Sequence, residues 1–434
     1  MSQKRINSIL AVGVAACMIV MPLAACGTGN AGGAASKTIS VAWWGNQSRN
    51  DKQGQVNKLF ASQNDVTVNG VFSEPSDYWS KTATAAAGRT MSDVIAMDSS
   101  YLTQYIDNGQ LVPLDEYIEN GTIDVSNVSK AVVDASRGAD GKLYALTNAV
   151  NAPSMFYNKT LLDSLGITVN DDWTLDEFMD IARTVYEKTG VKTDYGYYED
   201  SQPIEYVVRG EGKQLFKDGK LAATANDLVP YYKVFQTGIE EGWQLPAELF
   251  TEINYKAVEQ DPMVSYSSPE RQSWCAFGWS NNMYAFQNLS PNGDEIGIAP
   301  WPSPDVTKSN YIHPSQYWVI TKNSKNPELA AKWINFYTNN EEAAKIMLTD
   351  RGLPISSKMV EAISPELSDA DKKVAAYIEN VVEPNSSPIS MPMPAKASEL
   401  NSRVAPQLGE NILYGKMTAE QAAAEYVREA NEIL

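Results

Sequence analysis

Histidine and cysteine are nearly absent from this chain of 434 residues, which holds one His and three Cys. The lone His313 precedes a proline in a loop, so catalytic triads that need histidine have little to draw on. No His or Cys cluster completes a zinc or iron site. No G-x-S-x-G elbow, H-E-x-x-H helix or phosphate loop occurs either. No metal, cofactor or catalytic residue is therefore expected. Positive charge is also scarce: 35 Lys and Arg against 53 Asp and Glu leave a net charge of −18. Such an excess of acid argues against nucleic acid and against polybasic adhesion to anionic lipid. Beyond Leu23 no apolar run reaches the ~18 residues that would cross a bilayer as a helix. Cys17 is expected to leave with an N-terminal export signal and Cys26 to take lipid, so Cys275 has no partner and is expected to fill core in "SWCAFGW". Without disulfides, a large core must supply the stability.

What is present begins with an export signal. Lys4 and Arg5 precede an apolar run from Ile9 to Leu23, and residues 1–25 read as a signal peptide. The run ends in "LAAC", which resembles a bacterial lipobox. That resemblance implies cleavage before Cys26 and lipidation (palmitate) of its sulfur. Residues 26–36, rich in Gly, Ala and Ser, read as a flexible tether. The mature body is long enough for two domains of ordinary size.

Strand-like and helix-like runs alternate along that body, which points to α/β layering. "TISVAWWG" (38–45), "VTVNGVF" (66–72) and "DVIAMD" (93–98) read as strands, the last as one covered on both faces. A capping box at Thr174–Glu177 opens a helix that Gly190 stops, Pro327 takes a first helical position, and Thr418–Gln421 starts a final helix. Pro291–Asp305 reads as a loop-strand-loop return between lobes.

In this order the motifs resemble those of the extracellular solute-binding proteins of carbohydrate ABC transporters, the group that includes maltose- and multiple-sugar-binding proteins. "WWGNQSR" follows the first strand, and "AAAGRTMSDVIAMDSSYLTQYIDNGQLVPLDEYI" (85–118) is the most specific stretch. "GKLYALTNAVNAPSMFYNKTLLDSLGI", "FGWSNN" and "SKNPELAAKWINFY…DRGLPISS" come after it in the family's order. Where family members often carry glycines before the return strand, this chain has "IHPSQYW". The resemblance implies an α/β, two-lobed periplasmic-binding-protein fold of type II, with a cleft between lobes and hinge crossings. Its lobes would be 37–148 plus 312–353, and 149–311 plus 354–434. It also implies a monomer that captures an oligosaccharide, hands it to ABC transporter permease subunits, and sits lipid-anchored on the extracellular face of the membrane. An exported glycoside hydrolase and a binder of a non-sugar solute are the competing readings.

A sugar offers hydroxyls and apolar C–H faces, so its site needs bidentate polar groups beside flat aromatic plates. Strand alternation sends one of Trp43 and Trp44 inward and leaves the other to flank the cleft; Trp44 is the candidate. Asn46 and Arg49, just past the strand, are a ligand pair or a turn residue and a surface charge. Asp98 ends an apolar strand, either as a ligand contact or as a helix N-cap. Trp279 and Asn281 come from "FGWSNN", and Gln316 and Trp318 from the return strand. Asn151 in the first crossing and Arg351 in the third complete the set, the latter two with structural alternatives at the hinge.

Overall fold

Residues 37–196, 202–253, 257–387, 394 and 396–434 are described in a computed structural model. The expected signal peptide, tether and Cys26 lie outside them. In chain order the described strands are β1 (Thr38–Trp44), β2 (Thr67–Ser73), β3 (Val94–Met97), β4 (Ala145–Thr147), β5 (Val150–Asn151), β6 (Pro153–Asn158), β7 (Phe216–Lys217), β8 (Lys220–Leu221), β9 (Cys275–Trp279), β10 (Ile296–Ala299), β11 (His313–Pro314) and β12 (Tyr317–Ile320).

The first lobe is built on a mixed sheet of order β2-β1-β3-β12-β4. β1 runs parallel to β2 and β3, while β12 returns antiparallel between β3 and β4. Helices α1 (Gln47–Asn64), α2 (Pro75–Gly88) and α3 (Ser99–Asp107) follow the first three strands. Each has a legible start: Asn46 caps α1, Pro75 holds the first turn of α2, and Asp98 caps α3. All four residues of β3 are buried, as a strand covered on both faces requires. Trp43 points into this core at 3% exposure. Its ring lies over Gly70 of β2, where a Cβ would come within 2.7 Å of Cη2, so only glycine admits the indole.

The second lobe carries a smaller antiparallel sheet of order β10-β6-β9. The expected capping boxes are there: Thr174 with Glu177, and Thr418 with Gln421, each open a 15-residue helix. The latter helix, Ala419–Ile433, packs against Ala225–Glu241. Cys275 is buried and free. The stretch 291–305 departs from expectation. It does contain a strand, β10, but Ile296–Ala299 pairs with β6 inside the second lobe, and the return to the first lobe comes only at 311–316.

Three chain passages lie side by side between the lobes. His313 and Pro314 pair with Asn151 and Val150, and Val150 exchanges both backbone hydrogen bonds with Leu353, at 2.8 and 2.9 Å. The third passage continues differently from the boundary at 353. Ser357 N–H donates to Asn127 at 2.9 Å, and Met359 and Ile363 share a small core with Ala344 of the first lobe. The helix Asp369–Tyr377 then packs on Met283–Leu289 and β10, so the chain changes lobes after Ile363. One large core runs from the five-stranded sheet through the crossings to Phe156, Phe286 and Tyr377; a second lies wholly in the other lobe around Phe178, Trp274 and Tyr426.

Candidate functional site

The strand ends determine what can meet at the crossings. β1 and β3 finish there with Trp44 and Asp98, β12 starts there because it is antiparallel to β3, and β9 ends there opposite Pro153. Ligand positions in open α/β sheets lie beyond such carboxyl ends.

On the first lobe this edge is aromatic. The half-buried Trp44 ring lies 4.7 Å from Tyr78 and 5.1 Å from Trp79, and Trp79 stacks on Tyr101 at 4.0 Å and 22°. Tyr78 is fixed by donating its hydroxyl to the Ala96 carbonyl at 2.7 Å, and burial drives its pKa far above the usual range. At the crossings a second group gathers. Trp279 stacks on His313 at 4.1 Å and 17°, with Trp301 at 5.7 Å and Tyr311 at 6.4 Å. Burial lowers the His313 pKa to about 4, so the imidazole is neutral at pH 7 and lies against the indole as an uncharged plate. The Arg209 guanidinium sits 4.8 Å above the Tyr311 ring and 3.7 Å from Glu205.

Arg209 also lines a cavity of about 780 Å³. Thr103, Asp107, Asp134 and Arg137 line it from the first lobe, and Glu205, Arg209, Lys213 and the β7–β8 hairpin line it from the second. Its walls mix both signs of charge with Ile106, Leu215 and Phe216. That size and mixture suit a polar ligand with apolar faces. Lys213 is itself paired with Asp227, and Arg137 with Asp115 and Asp134, so much of the charge is already held in place.

None of the ten expected site residues is on the wall of that cavity. Trp44, Asp98, Trp279 and Gln316 stay partly exposed at the crossings, and Asn281 is exposed on the turn Ser280–Asn282. Asp98 spends one oxygen on Ser100 N–H at 2.9 Å, and with burial its charge holds the Tyr317 phenol above its ordinary pKa. Five candidates are held by contacts within the protein. Asn46 is a helix cap, its Oδ1 accepting from Arg49 N–H at 2.9 Å. Arg49 grips Asp350, at 2.7 Å to Oδ1 and 2.9 Å to the carbonyl, and so ties α1 to the third crossing. Asn151 is buried and donates to the Arg351 carbonyl at 3.2 Å. Trp318 is fully buried, 4.8 Å from Trp333 and 5.3 Å from Tyr337, because its strand is covered on both faces. Arg351, 2% exposed, reaches Gln316 Oε1 from behind the hinge.

Trp79, Tyr101, Tyr311 and Arg209 were missed. Trp79 and Tyr101 had a signal: they fall within the first five residues of the helices that follow β2 and β3, on the same edge as Trp44. Tyr311 and Arg209 meet across 102 positions, and nothing local marks them.

Two lobes, three crossings and an interlobe cavity define a hinged binding protein. The model of the bacterial extracellular solute-binding proteins matches residues 46–344, and the chain belongs to that family. The galactooligosaccharide-binding protein of Bacillus subtilis (strain 168) is 24% identical over 351 residues, 75% of each chain. An extracellular solute-binding protein of family 1 from Alicyclobacillus acidocaldarius superposes with a TM-score of 0.74 at 26% identity, over 91% of this chain and 98% of its own. An ABC substrate-binding protein from Listeria monocytogenes, solved in complex with cycloalternan, gives 0.70 at 20% identity over the same shares, a likeness of fold alone.

Proposed function

We propose that this protein captures an oligosaccharide between its lobes and delivers it to the permease of an ABC transporter. The observation that carries this reading is the pair of aromatic groups at the strand ends, Trp44–Trp79–Tyr101 and Trp279–His313–Tyr311, the second joined through Arg209, which lies over the Tyr311 ring, to an interlobe cavity of about 780 Å³. Flat rings bind the C–H faces of pyranoses, and Asp98, Asn281 and Gln316 supply hydrogen-bonding groups for hydroxyls. The galactooligosaccharide-binding relative supports the same ligand class. Ligand that touches both lobes stabilises only the closed form, so capture and closure are one equilibrium. The protein acts as a monomer without catalysis. Cleavage before Cys26 and lipidation of its thiol hold it at the outer face of the membrane, with residues 26–36 as the tether.

Calorimetric titration with a panel of neutral and acidic oligosaccharides tests this, with Trp fluorescence as a second readout. We expect binding to at least one member, accompanied by a fluorescence change as Trp279 loses water. Silence across the panel sinks the sugar reading, and release of reducing ends points instead to a hydrolase. Wild-type protein should incorporate labelled palmitate, and Cys26→Ala should abolish that labelling.

A further inference from the structure

At the hinge, between the first and third crossings, lies a small cavity of about 20 Å³. Arg351 and Asn148 line it from the third and first crossings, and Met347, Leu348 and Ile355 close it with aliphatic surface. Both polar side chains are more than nine-tenths buried. Nε and Nη2 of Arg351, and both amide atoms of Asn148, have no hydrogen-bond partner in the protein. The surrounding charge is unbalanced. Asp350 is engaged by Arg49 at 2.7 Å and by Lys52 at 3.9 Å, and among the described residues no carboxylate pairs with Arg351. A buried guanidinium without a counter-charge is among the costliest groups a fold can hold.

We propose that this cavity binds a single chloride-sized anion, held by the free N–H groups of Arg351 and the amide of Asn148. Its volume admits one particle of about water size or slightly larger, which leaves no room for a tetrahedral oxyanion. Unmatched donors on one side and aliphatic carbon on the other suit a weakly hydrated halide. Water in the same place would leave the guanidinium with only the face of the Trp318 ring, 5.4 Å away, and the Gln316 amide oxygen to offset its charge. Because the site joins the first and third crossings, the anion braces the hinge. The site does not depend on what the cleft binds.

Two measurements decide it. Crystals soaked in sodium bromide, with data taken at the bromine absorption edge, should show an anomalous peak between Arg351 and Asn148. Thermal unfolding at fixed ionic strength should show a saturable rise of about 2–4 °C when chloride replaces gluconate. Asn148→Asp places a carboxylate beside the guanidinium and should abolish that chloride dependence. No bromide peak means water alone fills the cavity and overturns the proposal. A peak without a chloride-specific shift means adventitious binding and overturns it too. The bromide measurement uses the unaltered protein, so it stands whether or not the variant folds.

Discussion

Replacing Gly352 by alanine tests the hinge where it is tightest. Gly352 sits in the third crossing at φ +117°, a backbone conformation closed to residues with a Cβ. A methyl group there would stand 2.4 Å from the Val150 carbonyl oxygen and 2.5 Å from Asn151 Oδ1. Neither can retreat freely. That carbonyl accepts from Leu353 N–H at 2.9 Å, and the Asn151 amide donates to the Arg351 carbonyl at 3.2 Å. Backbone strain of this kind costs about 1–3 kcal/mol, and each hydrogen bond broken between the crossings costs about 0.5–1.5 kcal/mol more. We expect Gly352→Ala to destabilise by about 2–5 kcal/mol, read as a shift of the urea midpoint at unchanged slope. Two controls isolate the cause. Gly121 has φ +77° but open space around its Cβ position, so Gly121→Ala should cost only about 1 kcal/mol. Gly54 lies inside α1 with nothing within 4 Å, and Gly54→Ala should stabilise by about 0.5–1 kcal/mol. If Gly352→Ala loses no more than Gly121→Ala, the crossings are not packed as described.

Four further expectations follow from other parts of the structure. Trp279→Ala should weaken oligosaccharide binding about 5- to 30-fold, or about 1–2 kcal/mol of stacking, and should also lower stability because the ring packs on His313; a calorimetric affinity equal to wild type refutes its role in binding. Trp333→Ala removes a fully buried ring whose Nε1 donates to Asn57 at 3.0 Å and should cost about 3–5 kcal/mol by chemical denaturation. Thr174→Ala breaks a capping box and should cost about 1 kcal/mol. Burial raises the pKa of Asp194, with the nearby Asp261 as a second cause, and raises that of Asp261 to about 7. The fold therefore binds more protons than the unfolded chain between pH ~4 and ~7, and stability falls across that window as pH rises, by up to about 1.4 kcal/mol per unit for each proton. Asp261→Asn should flatten this slope in midpoint-versus-pH measurements; an unchanged slope would rule the pair out as its source.

The elements that a local pattern specifies were readable in advance. β1, β2 and β3 follow from runs of β-branched and apolar residues, and the helices after Thr174 and Thr418 from their capping boxes. The crossings have no such local pattern, because β5 and β11 are two residues long, and only the family resemblance pointed to Asn151 and Arg351 there. Motif position also cannot distinguish the two faces of a covered strand. Trp318 looked like a plate on the return strand, yet both faces of β12 are buried, so its ring went to the core. Asn46 shows the opposite case: an Asn directly before a polar helix is an N-cap signal, and that local chemistry outweighed its place beside a tryptophan pair. The cavity walls escaped because Asp107, Arg137 and Glu205 are ordinary surface charges until the fold sets them facing one another.

The helix Ala419–Ile433 buries Ala422, Ala423, Tyr426 and Ala430 in the core of the second lobe, against a helix that begins at Ala225. Nearly two hundred residues separate the two halves of that contact. A nascent chain therefore cannot close this core until its residues beyond 418 have been made. Contacts so distant in sequence make folding slow, since loop closure precedes any gain from packing. Slowness of this kind keeps a polypeptide thin and threadable for as long as it is being pushed through a narrow pore.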